Sequence, residues 1–450
     1  MKNEEEPLPD SPRRLSRPGQ AATASSEKPS SSMFPEMMME AGVDSKNMQR
    51  AWDQVRGNRG APGPDGISVT KFAAWLKPQW EGIRQQLLDG TYEPSPVRRK
   101  TIDKPDGGQR QLGIPNVLDR VIQQAISQVL TPVFDPGFSE SSHGFRPERS
   151  AQGAAKQVQR TIRSGRNFVV DMDLSKFFDK VQHDVLMNRV ARKVRDKRLL
   201  GLIGRYLRAG VMVEGVLQSS PEGTPQGGPL SPLLANILLD DLDKELEKRG
   251  LPFVRYADDF VIFTRSRRAA ERVFEGVKRY LTRVLRLVVN QEKSQIVPVD
   301  GVEFVGFVFR GPRKGAIHVS EKNVQKFKRR IRELTGRSRG ISMTQRLGEL
   351  RRYLNGWAGY FALAMQKPLF ESFDKWIRRR LRMCLWKRWR FVRTRVRNLV
   401  ALGVSRQAAY SHAKSRKGPW RMSLTIASGV GMTNDWLESQ GLVSLLSLWV

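Results

Sequence analysis

The chain has 450 residues, 39% of them hydrophobic, with 78 Lys and Arg against 45 Asp and Glu. The hydrophobic fraction suffices for large folded cores and excludes a disordered basic tail protein. The formal net charge of +33 exceeds what solubility requires and indicates a polyanionic partner such as nucleic acid.

The few cysteines and histidines restrict the possible metal chemistry. One cysteine, Cys384, and four histidines exclude an internal disulfide and a cysteine-rich zinc site. Metal chemistry would therefore use oxygen ligands, which suit Mg²⁺ or Mn²⁺. The N-terminal segment is acidic at residues 4–6 and has no apolar stretch, so no secretory signal is expected, and the apolar run at 441–450 is too short to cross a bilayer. We expect a cytoplasmic protein without a membrane partner.

Composition and periodicity divide the chain into segments. Residues 1–32 are poor in large apolar side chains and are expected to be a disordered tail. Residues 33–90 show helical periodicity around a Gly/Pro loop, and residues 91–315 alternate apolar strands with helices. Basic helices follow over residues 320–395, and residues 400–450 form a further basic segment. The alternation predicts an α+β fold followed by helices.

The first strand pair of interest is basic. Residues 97–115 read as strand, Asp-Gly-Gly turn and strand, with Lys104 and Arg110 beside the turn. These two side chains either bind a triphosphate or protect a solvated sheet edge.

Two further segments carry paired carboxylates. The apolar strand at 168–174 places Asp171 and Asp173 on one face, which is costly in a buried strand unless a metal binds them. The hairpin at 254–263 carries Asp258 and Asp259 at its turn, between two apolar strands. An isolated acidic turn is usually a solvated surface feature. Together the four acids indicate two divalent ions about 4 Å apart, as in polymerases and nucleases.

A glycine-rich loop at 222–232 surrounds Gln226 and leaves room for a nucleotide or a template–primer duplex, although the loop considered alone favours a plain connection. Residues 375–434 contain no acidic residue, and their Trp residues lie either in the core or on a nucleic-acid groove. The basic candidates for that groove are Arg378, Arg379, Arg380, Arg382, Lys387, Arg388 and Arg390.

The order of these segments resembles the reverse transcriptases, or maturases, encoded by bacterial group II introns. The resemblance covers roughly residues 45–450 and rests on motifs that occur in series: Tyr-Ala-Asp-Asp at 256–259 and the segments 142–147, 173–179, 224–232 and 350–357. It implies a right-hand polymerase, with fingers and palm built on an antiparallel sheet. An all-α thumb or maturase domain and a small basic DNA-binding domain would follow.

The resemblance also assigns roles. It implies that Asp173, Asp258 and Asp259 are the catalytic acids, that the Leu174 carbonyl is a further metal ligand, and that Asp171 only supports them. Two Mg²⁺ ions are implied, with Mn²⁺ possible. Lys104, Arg110, Gln226 and Lys293 match nucleotide-binding positions, and Phe178 matches the steric gate against ribonucleotides.

The implied partners are intron RNA, an RNA template with a DNA primer, target DNA and deoxynucleoside triphosphates. Because no cysteine follows Cys384 and only His412 remains, the chain is similar to the short class without a His-Asn-His endonuclease. Three alternatives stay open: a nuclease, an RNA-binding splicing factor with a vestigial polymerase site, and a retron-like or phage-defence reverse transcriptase.

Overall fold

The computed structural model describes residues 36–103, 109–213, 216–218, 223, 227–311, 313–364 and 366–449. They fall into two compact units. The N-terminal unit holds the described residues up to Val305 together with Phe309–Gly315, and the C-terminal unit holds Gly306–Val308 and the residues from Ala316 onward. The finer division into five domains stays a prediction.

The N-terminal unit mixes helices and strands. Its helices are α1 (Met38–Val43), α2 (Ser45–Gly57), α3 (Val69–Leu76), α4 (Trp80–Asp89), α5 (Val117–Phe134), α6 (Ala151–Arg163), α7 (Phe177–Lys180), α8 (His183–Val190), α9 (Lys197–Arg208), α10 (Ser231–Lys248) and α11 (Arg267–Arg283), with a 3-10 turn at Asp135–Gly137. Its strands are β1 (Val97–Asp103), β2 (Gln109–Ile114), β3 (Phe168–Met172), β4 (Val211–Val213), β5 (Val216–Gln218), β6 (Phe253–Tyr256), β7 (Asp259–Thr264), β8 (Gln295–Pro298) and β9 (Glu303–Phe304). At β10 (Phe307–Arg310) the chain passes between the units.

Two sheets organise this unit. The first has the order β2-β1-β4-β5, with β1 antiparallel to β2 and parallel to β4, and it contains the predicted basic hairpin. The second has the order β6-β7-β3-β8 and is antiparallel throughout. Helix α11 packs on β3 and β7, and Phe260 to Phe263 are fully buried in this layer. The apolar strands predicted around the acids therefore lie side by side in one buried sheet.

Besides Gly306–Val308, the C-terminal unit contains β11 (Ala316–Val319), and helices make up the rest of its regular structure over the described residues. Its helices are α12 (Glu321–Leu334), α13 (Met343–Phe361), α14 (Lys367–Arg388), α15 (Val392–Ala401), α16 (Arg406–Ala413), α17 (Pro419–Met422), α18 (Ile426–Gly431), α19 (Asn434–Ser439) and α20 (Leu445–Leu448). Its core is aromatic, because the Phe327 ring lies 4.5 Å from Trp357 and 4.4 Å from Phe373, measured between centroids. The α+β fold followed by basic helices is confirmed.

None of the helices in the described ranges is long and apolar enough to cross a membrane.

Candidate active site

The acidic hairpin is formed by β6 and β7. Tyr256 pairs with Asp259, so Ala257 and Asp258 form the two-residue turn. Ala257 adopts φ +60°, a left-handed conformation that side chains with a Cβ rarely adopt. The surrounding structure must therefore hold this turn in place.

The strand acids lie beside this hairpin. Asp171 pairs with Val261 and Met172 with Phe260, so the chain leaves β3 next to the start of β7. β3 ends at Met172, two residues earlier than predicted, because the following residues bond to another segment. The Asn290 amide donates to the Asp173 carbonyl at 2.8 Å, and the Ser175 amide donates to the Val288 carbonyl at 2.8 Å.

Residues 290–295 hold both strand acids. Asn290 Nδ2 donates to Asp173 Oδ2 at 3.0 Å, and the Asp173 amide donates to Ser294 Oγ at 3.1 Å. Gln295 Nε2 donates to Asp171 Oδ2 at 3.2 Å. Asn290 and Ser294 are functional candidates that sequence reasoning missed, and their only signal was a polar run that follows an apolar strand.

The four side chains Asp171, Asp173, Asp258 and Asp259 form what we call the carboxylate cluster. The Asp259 side chain is exposed to solvent, but protein atoms around it displace much of the water that would hydrate its carboxylate. This desolvation, followed by repulsion from the other cluster members and Glu303, raises the pKa of Asp259 to about 7. Loss of hydration and neighbouring negative charge thus both disfavour the ionised form of Asp259 at the hairpin turn.

The donor chemistry of the carboxylate cluster fits a hard divalent cation, since every donor is a carboxylate oxygen and a cation would relieve the repulsion. Among the described residues, no three acidic, histidine or cysteine side chains are already gathered closely enough to hold a metal ion.

The carbonyl proposed as a further ligand belongs to Leu174. Leu174 forms an isolated bridge with Val289, and the two bonds of this bridge use the carbonyls of Asp173 and Val288. The bridge therefore does not consume the Leu174 carbonyl oxygen. Lys293 is exposed on the turn beside Asn290, to whose side-chain oxygen its amide donates at 3.4 Å.

A buried polar network supports the hairpin from behind. Arg255 donates to Asp243 on α10, to Asn236 Oδ1 at 2.9 Å and to the Ala257 carbonyl at 2.9 Å. Asn236 also donates to the Gly144 carbonyl at 2.8 Å. The sequence did not point to these residues, because a polar residue on a helix or strand usually faces solvent.

The predicted nucleotide pocket is described in part. Phe178 is half-buried and packs edge-on against Phe177, with 5.1 Å between ring centroids. Gly223 has φ +93°, and a Cβ on it would lie 2.9 Å from the Phe178 carbonyl oxygen. Gly223, one described residue of the glycine-rich loop, therefore lies close to the Phe178 backbone. Lys104 and Gln226 lie outside the described residues, and only the backbone of Arg110 is described, paired with Ile102.

The basic residues of the C-terminal unit divide into two groups. Arg379 lies 3.7 Å over the Trp420 ring, Arg380 donates to Thr335 Oγ1 at 2.5 Å, and Arg382 donates to the Met432 carbonyl at 2.8 Å. Of the other four candidates, Arg378 is half-buried, whereas Lys387, Arg388 and Arg390 are exposed. Trp386 and Trp389 are buried, so they belong to the core rather than to a stacking surface.

Comparison with known proteins agrees with this geometry. The family "Reverse transcriptase (RNA-dependent DNA polymerase)" matches residues 102–309, and "Group II intron, maturase-specific domain" matches residues 324–402. These matches confirm the polymerase fold with a helical thumb, and they imply nucleic-acid partners such as intron RNA.

Curated relatives include Protein YkfC of Escherichia coli (strain K12), which is 34% identical over 56% of this chain and 75% of YkfC. Group II intron-encoded protein LtrA of Lactococcus lactis subsp. cremoris is 31% identical over 60% of this chain and 56% of LtrA. A solved "Partial Cas6-RT-Cas1--Cas2 complex" is 27% identical over 55% of this chain and 42% of that chain, with a TM-score of 0.36.

The carboxylate cluster thus lies in the part of the chain that matches the polymerase family, and the basic helices lie in the part that matches the maturase domain. The chain belongs to the group II intron reverse transcriptases, a family of RNA-directed DNA polymerases that carry a maturase domain and use divalent metal ions.

Proposed function

We propose that this chain copies group II intron RNA into DNA when the intron inserts at a DNA target, and that it assists splicing of the same RNA. The observation that carries the polymerase proposal is the carboxylate cluster, in which desolvation, followed by repulsion between crowded carboxylates, raises the pKa of Asp259 to about 7. Such crowding is characteristic of sites whose acids are neutralised by divalent cations during phosphoryl transfer.

Asp173, Asp258 and Asp259, with the Leu174 carbonyl, would hold two Mg²⁺ ions, for which Mn²⁺ would substitute. When bound, the ions lower the pKa of the primer 3′-hydroxyl and neutralise charge on the triphosphate and the departing pyrophosphate. The chain's own contribution is positioning. Asn290 and Ser294 orient Asp173, while Asp171 supplies supporting negative charge.

The incoming deoxynucleoside triphosphate would lie between the basic hairpin and the glycine-rich loop. Lys104 and Arg110 would bind its phosphates, Gln226 would line its pocket, and Lys293 would supply a further positive charge. Phe178 would exclude a ribose 2′-hydroxyl. The close approach of Gly223 to the Phe178 backbone supports this arrangement, since Gly223 belongs to the segment of the sequence that carries Gln226.

The template is RNA and the primer DNA, and the basic helices after Ser320 would bind intron RNA and target DNA in the cytoplasm. Exposed Lys387, Arg388 and Arg390 support this part of the proposal, because no acidic residue accompanies them between 375 and 434.

The test is extension of a DNA primer on an RNA template with deoxynucleotides and Mg²⁺. We expect the wild-type chain to extend the primer and Asp258→Asn to abolish extension, because the substitution keeps the shape of the side chain and removes its charge. Asp53→Asn is the matched control, since Asp53 is an exposed carboxylate on α2 whose partners Gln49 and Arg56 belong to the same helix.

Three outcomes would contradict the proposal. Unchanged extension by Asp258→Asn would remove the hairpin from catalysis. Binding of intron RNA without extension at any Mg²⁺ or Mn²⁺ concentration would indicate a splicing factor. Cleavage of nucleic acid without deoxynucleotides, lost in Asp258→Asn, would indicate a nuclease.

A further inference from the structure

Phe145 is a large apolar side chain held in solvent beside the hairpin. Its side chain is 51% exposed, and its backbone adopts φ +58°. Both features are unfavourable for an aromatic residue, since the ring is left in water and a residue with a Cβ strains in the left-handed region. A folded chain retains such a feature when the surrounding structure enforces it.

The residues around Phe145 provide this enforcement. Arg146 is buried, and its guanidinium donates to the Asp135 side chain at 2.7 Å and to the carbonyls of Ser139 and Ser142 at 2.6 and 3.0 Å. On the other side, the His143 amide donates to the Arg255 carbonyl at 2.9 Å. Phe145 is therefore exposed on a turn that is anchored at both sides.

The turn is packed directly against the acidic hairpin. A Cβ on Gly144 would lie 2.2 Å from the Ala257 amide nitrogen, so only glycine fits here. The Phe145 ring centroid lies 6.4 Å from the Tyr256 centroid, at an interplanar angle of 41°. The exposed ring thus adjoins the residue that stands two positions before Asp258.

From this geometry we infer that Phe145 is a primer-binding residue, whose ring packs with Tyr256 against the sugar and base of the terminal primer nucleotide. The inference rests on the proposed polymerase function. That function brings the primer 3′-hydroxyl to the acids of the hairpin, so the primer is the strand nearest to Tyr256. Aromatic contacts of this kind are apolar and tolerate any base sequence.

Binding of a fluorescent primer–template duplex, measured by anisotropy without divalent ions, tests this role. Phe145→Asn removes the ring and favours the left-handed backbone, whereas Phe145→Tyr retains the ring. We expect about tenfold weaker binding for Phe145→Asn. The salt dependence of binding should not change, because the ring carries no charge that could neutralise a phosphate. Phe145→Tyr and the control Val284→Asn, an exposed apolar residue after α11, should bind as wild type.

Two further duplexes show whether Phe145 contacts the primer or the template strand. One lacks the terminal primer base, and the other lacks the template base opposite it. The penalty of Phe145→Asn should shrink with the first duplex and persist with the second.

Wild-type binding by Phe145→Asn would overturn the inference, and so would a penalty that disappears only with the template defect. A fall in the thermal unfolding midpoint that accompanies the weaker binding would assign a structural role instead. If the wild-type chain extends no primer at all, the proposed function fails rather than the role of Phe145.

Discussion

The guanidinium of Arg255 donates to both carboxylate oxygens of Asp243, at 2.8 and 2.5 Å, and both side chains are completely buried. This ion pair joins β6 to α10 behind the carboxylate cluster. Because Arg255 also donates to the Ala257 carbonyl, the same side chain links the helix to the left-handed residue of the turn.

Removal of one partner of this pair should destabilise the protein strongly. Asp243→Leu or Arg255→Met alone would leave an unpaired buried charge, and we expect a loss of roughly 3–5 kcal/mol in the free energy of unfolding. The double variant should recover much of this loss, because two apolar side chains of similar size replace the pair. Its primer extension should stay low, since the Ala257 carbonyl has lost its donor. Urea denaturation and primer extension measure the two effects, and recovery of both together would contradict a positioning role for Arg255.

The raised pKa of Asp259 predicts a dependence of stability on pH. The folded-state pKa of about 7 lies above the ordinary value of 3.8, so the stabilisation from proton binding is complete below 3.8 and is lost as pH rises through 7. Without divalent ions, Asp259→Asn should therefore raise the thermal unfolding midpoint at pH 8. This advantage should diminish as pH falls towards 4.

Divalent ions should offset the stability advantage that Asp259→Asn has over wild type at pH 8. At pH 8, Mg²⁺ should raise the unfolding midpoint of wild type more than that of Asp259→Asn. The wild-type shift should be smaller at pH 6, because protons compete with the ion for the carboxylate. Equal shifts for the two proteins at both pH values would exclude Asp259 as a ligand.

Asn290 should control the affinity for divalent ions through Asp173. Asn290→Ala removes the 3.0 Å bond to Asp173 Oδ2 but leaves the carboxylate in place. Partners that orient a ligand contribute about 10–100-fold to metal affinity, and we expect an effect at the lower end. The measurement is the Mg²⁺ concentration that supports half-maximal extension. Gln291→Ala, an exposed neighbour, is the control, and an equal shift in both variants would refute the specific role of Asn290.

Phe178→Ala should increase the incorporation of ribonucleotides relative to deoxynucleotides. The half-buried ring is expected to occupy the space that a 2′-hydroxyl would need. Competition between the two nucleotide types on one template gives the discrimination ratio. If the variant is less stable but keeps the wild-type discrimination ratio, the role of Phe178 is structural, namely packing against Phe177.

The exposed and the partly buried basic residues of α14 and the loop after it should affect different properties of the protein, the first RNA binding and the second stability. Replacement of Lys387, Arg388 and Arg390 by Gln should reduce the salt dependence of RNA binding by roughly 0.7 in slope for each phosphate that is no longer neutralised. Replacement of Arg379 and Arg382 by Gln should instead lower the unfolding midpoint, because both side chains bond within the C-terminal unit. If the second set reduces the slope as much as the first, both groups face phosphate.

The local sequence pattern was sufficient to predict the strands that carry the acidic residues of the site. Two apolar runs around a tight acidic turn predicted the hairpin at Asp258, and another apolar run predicted β3, because backbone pairing and burial follow from neighbouring residues. Basic helices were also expected over residues 320–395, and α12, α13 and α14 lie there, with Ser342 capping α13 by accepting a bond from the Gln345 amide.

The supporting contacts could not be predicted because they join residues far apart in the chain. The bond from Asn290 to Asp173 spans 117 positions, and that from Asn236 to Gly144 spans 92. By itself, the sequence determined which carboxylates are available and which strands present them. Only the tertiary structure decided that Arg255 and Asp243 are buried as a pair, and that Phe145 remains exposed beside the hairpin. Burial and charge compensation are properties of the packed chain, and no local pattern encodes them.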